Sequence, residues 1–550
     1  MIDDLWYKNA VIYSLDVGTF MDSNGDGCGD FEGLSRRLEY LAALGVTCIW
    51  LQPFQPSPNL DNGYDISDYY GVDRRHGSAG DFVDFSHQAK QRGIKVIIDL
   101  VVNHTSDQHP WFQSACQDPN ARYHDWYVWA KKRPKDYLKG MVFPGVQKAT
   151  WTYNKASRHW YFHRFYDFQP DLNIANLEVR TEIQRIMGYW LELGVSGFRV
   201  DAVPFIIETQ EPGKTHRRQF QYLTEMRSFL QWREGDAILL GEANVLPKEN
   251  IDYFGEEGDR MHMMFNFYVN QYLFYALASG DARPLARALK ATEKIPVFAQ
   301  WGTFLRNHDE VDLGRLTKEE RQIVYDKFGP DPGMQLYGRG IRRRLAPMIG
   351  DQRHLEFAYS MLFSLPGTPV LRYGDEIGMG DDLSLNERDA VRTPMQWSDE
   401  PQAGFSTSKK IVHPVIKDGV WSYERINVAA QRRDPNSLLN WTVSMIRMRK
   451  ECPEIGWGNF EVLNTRNPCV LGLRFDWRNN SIVTLHNFSE KPQDVVVAIQ
   501  GERGGTMVNL LVNDTSTAFS QTRHRIILEG HGYRWYRVGG LDYVLRREKY

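Results

Sequence analysis

A chain of 550 residues is too long for one ordinary domain, so two or three are expected. Its 42% hydrophobic and 25% charged residues are those of an ordinary globular protein, and a formal net charge of -3 gives no reason to expect nucleic acid as a partner. No basic-then-apolar leader and no apolar run of about 18 residues occurs, so neither export nor a membrane partner is expected, and the expected location is the cytoplasm.

The five cysteines (Cys28, Cys48, Cys116, Cys452, Cys469) are scattered and odd in number, which argues against a disulfide framework or a thiolate metal site. Aromatics are the one excess, with 16 Trp, 27 Tyr and 28 Phe. They suit core packing and equally the flat faces of sugar rings. Arg342-Arg343-Arg344 is the densest positive run and reads as a solvated helix end.

In chain order, one phrase recurs: an amphipathic helix, a glycine stop, then an apolar strand. Leu34, Leu38, Leu41 and Leu44 lead to Gly45 and the strand Val46 to Leu51. Phe82, Phe85 and Ala89 lead to Gly93 and Val96 to Val102. Residues 105–170 break the rhythm with Trp, Tyr, His and Lys, and read as an insertion after the third strand. Ile183, Ile186, Met187 and Trp190 then lead to Gly194 and Gly197 to Asp201. A helical stretch from Met226 to Trp232 precedes Ala237 to Glu242. Beyond about residue 460 short strand-like runs take over, Val495 to Ile499 and Tyr533 to Val538 among them, as in a small β-sandwich.

Strands that are apolar throughout are those buried on both faces of a parallel sheet. Polar residues gather at their C-terminal ends: Asn103-His104, Asp201, Glu242 and His308-Asp309. That edge carries the chemistry of α/β barrels, so the expected fold is α/β, a (β/α)8 TIM barrel. The expected boundaries are barrel 1–104, inserted domain 105–170, barrel 171–459 and terminal β-sandwich 460–550.

Four strand ends, Asp99 to His104, Gly197 to Asp201, Gly241 to Asn244 and Phe304 to Asp309, resemble the signature regions of glycoside hydrolase family 13, the α-amylase family. Retaining glycoside cleavage needs one attacking carboxylate and one carboxylic acid about 5 Å apart, and Asp201 and Glu242 end neighbouring strands. The expected roles are Asp201 as nucleophile, Glu242 as acid/base and Asp309 as transition-state stabiliser. Arg199, two residues before Asp201 and so on the same side of its strand, is expected to keep Asp201 ionised and lower its pKa. His104 and His308 fit hydrogen-bond donors to the bound sugar or, alternatively, buried structural histidines.

Asp22 to Asp30 looks like the opening of a calcium loop, with ligands from Asp22, Asn24, Asp26, the Cys28 carbonyl and Asp30. Gly33 stands where an EF-hand has its bidentate Glu, and these are also common turn residues, so a plain turn is the alternative. Within the family the chain is similar to trehalose synthases, which interconvert maltose and trehalose, over nearly its whole length. The likeness is densest at Gly63 to Tyr69, Gln169 to Asn173, Gly340 to Pro347, Tyr373 to Gly380 and Arg392 to Trp397. It implies a maltose- or trehalose-sized substrate, a structural Ca2+ in the first loop and no organic cofactor. It also implies a second ion at Asn103, Asp171, the Phe205 and Ile206 carbonyls and Glu208. Gln169 joins the substrate-binding set. Asp65 and Arg392 are implied to pair across the terminal glucose and close the pocket behind it.

The chain departs from trehalose synthases at Ser14, Gly18, Arg372 and a shortened stretch from Glu208 to Gln221, positions expected on the acceptor side. Three readings stand: isomerase by intramolecular glucosyl transfer, an α-glucosidase or trehalose-cleaving hydrolase, and a catalytically dead interaction subunit. The retained carboxylates speak against the last. A homo-oligomer stays open.

Overall fold

The computed structural model describes residues 3–209, 217–500 and 505–539. Eight parallel strands close a barrel: β1 (Ile12–Leu15), β2 (Cys48–Leu51), β3 (Lys95–Leu100), β4 (Gly197–Val200), β5 (Ile238–Gly241), β6 (Met263–Phe265), β7 (Gln300–Phe304) and β8 (Thr368–Arg372). Almost every residue of these strands is buried, because one face fills the barrel and the other packs under the helices. The helices foreshadowed by periodicity form at Ala79–Gln91, Leu177–Glu192 and Gln221–Arg233.

One close approach fixes the working edge. Gly197 has φ +143°, and a Cβ there would meet the Ile238 carbonyl oxygen at 2.3 Å. The absent side chain lets β4 and β5 start in tight register, Leu240 beside Arg199 and Gly241 beside Val200. The residues that follow each strand therefore emerge side by side.

The stretch after β3 holds a three-stranded antiparallel sheet (Trp129–Ala130, Trp151–Asn154, His159–Phe162) around Val128, Trp151 and Phe162. The chain ends in antiparallel sheets of six and two strands, joined by a core that includes Val483, Leu485, Val497 and Ile526. Among the described residues no helix is long and apolar enough to cross a membrane.

The arginine run is not a solvated helix end. Arg344 is buried, Arg343 meets Asp381, and Arg342 donates to the carbonyls of Leu383, Leu385 and Glu387, pinning the 383–387 segment.

Candidate active site

Arg199 lies at the centre of the barrel mouth, fully enclosed, with three carboxylates around one guanidinium. Nη1 donates to Asp99 Oδ1 and to Asp201 Oδ1, each at 2.6 Å, and Nη2 lies 2.8 Å from Glu242 Oε2. Trp50 passes beneath, its ring 5.2 Å from the guanidinium and its Nε1 donating to Asp99 Oδ2. Ala202 takes a left-handed φ of +49°, uncommon without glycine, and so turns its N–H onto Glu242 Oε2 at 3.2 Å. Asp201 and Glu242 are thus held by shared donors.

Burial decides their protonation. It raises Asp201 to about 6 against the pull of Arg199, and raises Glu242 to about 7, with Arg199 again opposing and Asp201 and Asp309 adding. The expectation that Arg199 would lower Asp201 below its ordinary value fails, because desolvation outweighs the single shared charge. The order between the two survives, and it is the order a nucleophile and an acid require.

Asp309 lies across the cavity. Burial opposes its charge, but the guanidinium groups of Arg388 and Arg392, with Arg199 behind them, outweigh that cost and hold its carboxyl far below the usual range. Oδ1 accepts from Arg392 Nη2 at 3.0 Å and faces Arg388 Nη1 at 3.2 Å, while Oδ2 lies 3.3 Å from His308 Nε2. His308 stacks on Tyr64 at 5.5 Å and 10°, and its Nε2 also meets the Tyr64 hydroxyl at 2.9 Å. His104 Nε2 contacts the Tyr64 carbonyl at 3.0 Å. Burial lowers both histidines, His104 to about 4, so both are neutral rings on the cavity wall.

The cavity measures about 510 Å³ and is lined by Asp201, Glu242, Asp309, His104 and His308 together with residues the sequence reading had not chosen. Asp65 and Arg392 do not pair across it. Asp65 is fully buried and accepts from Ser57 Oγ and the amides of Leu60 and Asp61, so it shapes its own loop. Arg392 holds Asp309 and the His308 carbonyl. The residues that face the cavity are Asp61 and Arg388, each four positions earlier. Burial raises Asp61 to about 6, with Arg388 and Arg392 pulling the other way. Gln169 does not reach the cavity either; its Nε2 donates to Asp61 Oδ2 at 2.8 Å from behind. The motif around Gly63-Tyr64-Asp65 did carry the signal, but only the loop geometry tells which aspartate faces inward.

The two proposed cation sets differ. In the Asp22–Asp30 loop all donors are oxygens, which suits a hard cation. Asp22 accepts from the amides of Asn24, Gly25 and Gly27 and from Ser406 Oγ, and Asp30 caps the helix Phe31–Arg36 through the Gly33 amide. Asn24 and Asp26 remain exposed. The second set does not assemble as a cage. Asp171 Oδ1 accepts from the Arg164 amide at 2.8 Å, and the Arg164 guanidinium lies 3.0 Å from Glu208, over the Phe205 ring. The positive charge of this cluster is an arginine, and a cation would have to displace it. Of the 208–221 segment, expected to be shortened, residues 210–216 lie outside the described residues.

A (β/α)8 barrel with a buried Asp and a partly buried Glu on adjacent strand ends, and a third carboxylate opposite, is the frame of enzymes that make or break glycosidic bonds. The catalytic-domain model "Alpha amylase, catalytic domain" matches residues 16–327 and 342–458, and "Sucrose hydrolase-like, C-terminal domain" matches 480–537. A trehalose synthase from Pimelobacter sp. (strain R48) is 40% identical over 98% of this chain and 96% of its own length. The trehalose synthase/amylase of Mycobacterium tuberculosis is 39% identical over 98% and 91%. The crystal structure of Bacillus licheniformis trehalose-6-phosphate hydrolase superposes with a TM-score of 0.78 at 26% identity, covering 97% of this chain and all of that one. The chain belongs to the α-amylase family, glycoside hydrolase family 13, and is a glycoside-processing enzyme.

Proposed function

We propose that the enzyme interconverts maltose and trehalose by moving a terminal glucosyl unit within one active site. Asp201 attacks the anomeric carbon as Glu242 protonates the departing oxygen, leaving a covalent glucosyl-Asp201 and a free glucose. The freed glucose turns, its anomeric hydroxyl attacks the same carbon, Glu242 takes back the proton, and Asp201 departs. Asp309, held ionised, balances the positive charge that develops on the sugar ring in both steps. Asp61 and Arg388 bind the terminal glucose hydroxyls and block the cavity beyond it.

The observation that carries this reading is the shared Arg199 guanidinium, which holds Asp201 and Glu242 together while burial leaves Glu242 the weaker acid, about 7 against about 6. A disaccharide-sized cavity and the full-length likeness to trehalose synthases support the choice of substrate. Product is decided by whether water reaches the intermediate before the released glucose turns. The test is maltose conversion with isotope-labelled free glucose added. Unlabelled trehalose as the main product supports internal transfer. If glucose dominates from the first turnover, the enzyme is a hydrolase on the same scaffold.

We further propose a calcium ion at the Asp22–Asp30 loop as a structural ion. Its support is the all-oxygen donor set, with exposed Asn24 and Asp26 and the Cys28 carbonyl as ligands; the ion has no part in the glucosyl chemistry.

A further inference from the structure

Arg339 bridges two parts of the molecule that meet at the mouth of the cavity. Its Nη2 donates to the Val142 carbonyl at 3.0 Å, 197 residues away in the stretch after β3. Its Nε lies 3.5 Å from Asp312 Oδ1, on the loop after β7. Both contacts use one edge of the guanidinium, a planar fork that a lysine cannot reproduce. Val142, Asp312 and Arg339 all line the cavity, and Asp312 Oδ2 accepts from Asn244 Nδ2 at 2.7 Å. The bridge therefore stands at the open end, where the acceptor enters.

The local sequence builds both sides of it. Tyr337 and Gly338 take left-handed φ of +55° and +67°, and the Arg339 amide donates to the Leu336 carbonyl at 3.2 Å. This is a tight hairpin turn between Gln335–Leu336 and Gly340–Ile341. Gly340 pairs with Asp312 and lets the hairpin lie against Glu310, whose Cγ a Cβ there would meet at 2.4 Å. The backbone of Arg339 is thus fixed before its side chain reaches across. Opposite, buried Gln147 takes the amides of Val142 and Phe143 on its Oε1, at 2.7 and 2.8 Å, and the Val142 carbonyl turns to Arg339. The Phe143 ring packs against Tyr166 at 5.0 Å and Tyr337 at 4.9 Å, with the Arg388 guanidinium 4.9 Å away. Ring packing is non-directional, whereas the Arg339 bond to Val142 has a direction and fixes where the segment rests.

We infer that Arg339 is a specificity-determining latch: it holds the 142–147 segment down over the acceptor end, so that the freed glucose rather than water reaches the sugar on Asp201. The role rests on internal glucosyl transfer as the reaction. In both outcomes the glucosyl–Asp201 ester bond breaks as a new oxygen bonds to the anomeric carbon. That oxygen comes from glucose or from water, Glu242 takes its proton, and the Asp201 carboxylate leaves with the ester electron pair. The carboxylates do the same work each time, and only access differs.

The test compares Arg339→Ala with the wild type on maltose, counting trehalose and glucose per bond cleaved. The share of glucose should rise at least about threefold, and isotope-labelled free glucose should enter the trehalose formed. Arg339→Lys, a point charge that reaches one partner at a time, should fall between the two. Loss of folded enzyme lowers total turnover but cannot move a ratio counted per cleavage. Hydrogen–deuterium exchange on the same proteins without substrate should show peptides covering 142–147 exchanging at least about tenfold faster in Arg339→Ala. Unchanged exchange overturns the latch, and so does faster exchange with an unchanged product ratio. If the wild type releases only glucose, the transfer reading falls instead, and the exchange experiment alone judges the latch.

Discussion

The two ends of the cavity are built differently. At the end closed by Asp61, Arg388, Asp309 and His308, the groups are mostly buried, with 16% of the Asp309 and 17% of the Arg388 side chain in solvent, and each is tied to another: Gln169 holds Asp61, Arg388 and Arg392 hold Asp309, and Tyr64 holds His308. At the open end, Arg218 pairs with Glu249 at 2.8 Å with 39% of its side chain in solvent, and exposed Arg315 donates to the Asn244 carbonyl. Fixed dipoles in a closed place are what positioning and transition-state stabilisation need. Exposed pairs in water contribute little and are free to rearrange. In the proposed reaction the closed end would hold the terminal glucose and the open end what accepts it.

The largest effect should come from the closed chemistry. Asp201→Asn keeps the shape but removes the attacking charge, and turnover should fall at least about a thousandfold. Glu242→Gln should do comparable damage on maltose, yet spare an aryl glucoside whose leaving group needs no proton. If Asp201→Asn kept a tenth of the rate, the assignment of the nucleophile would be wrong.

Next comes the contrast between the two ends. Arg388→Ala leaves Asp61 and Asp309 short of a partner inside the closed end, and kcat/KM for maltose should drop about a hundredfold. Arg315→Ala at the open end should cost under about tenfold and instead change the ratio of trehalose to glucose. Equal losses in both variants would erase the distinction. The same closed end predicts that starch viscosity stays unchanged on treatment with the wild-type enzyme.

The pH profile sharpens the picture further. With Asp201 as nucleophile and Glu242 as acid, as proposed, activity needs the first ionised and the second protonated, so kcat/KM should rise as pH passes about 6 and fall as it passes about 7, the pair titrating together. A plateau extending well above pH 8 would mean that Glu242 is not the acid. The smallest effect belongs to the Asp22–Asp30 loop: chelation should lower Tm while leaving the initial rate nearly unchanged, and no shift in Tm would remove the calcium ion.

What the sequence shows and hides follows the physics of each region. The barrel was legible because parallel strands buried on both faces read as unbroken apolar runs after a glycine. Asp201, Glu242 and Asp309 were visible as charges where such runs end. Asp61 and Arg388 were not, since each motif offers two like residues four apart, and only the amides that Asp65 collects show which one is turned away. The depth of burial that raises Asp201 has no local sequence mark. Nor does the contact of Arg164 with Glu208, which are 44 residues apart in the chain. Arg344 looked like surface because three arginines in a row usually are; here it is packed under Tyr373.

The central claim is that Asp201 carries the sugar between the two steps. A fluorinated glucosyl fluoride, which forms the intermediate quickly and releases it slowly, followed by mass spectrometry of the digested protein, tests it directly. The account predicts one glucosyl adduct on the peptide containing Asp201, absent in Asp201→Asn. An adduct on Glu242 or Asp309, or turnover without any adduct, would contradict it.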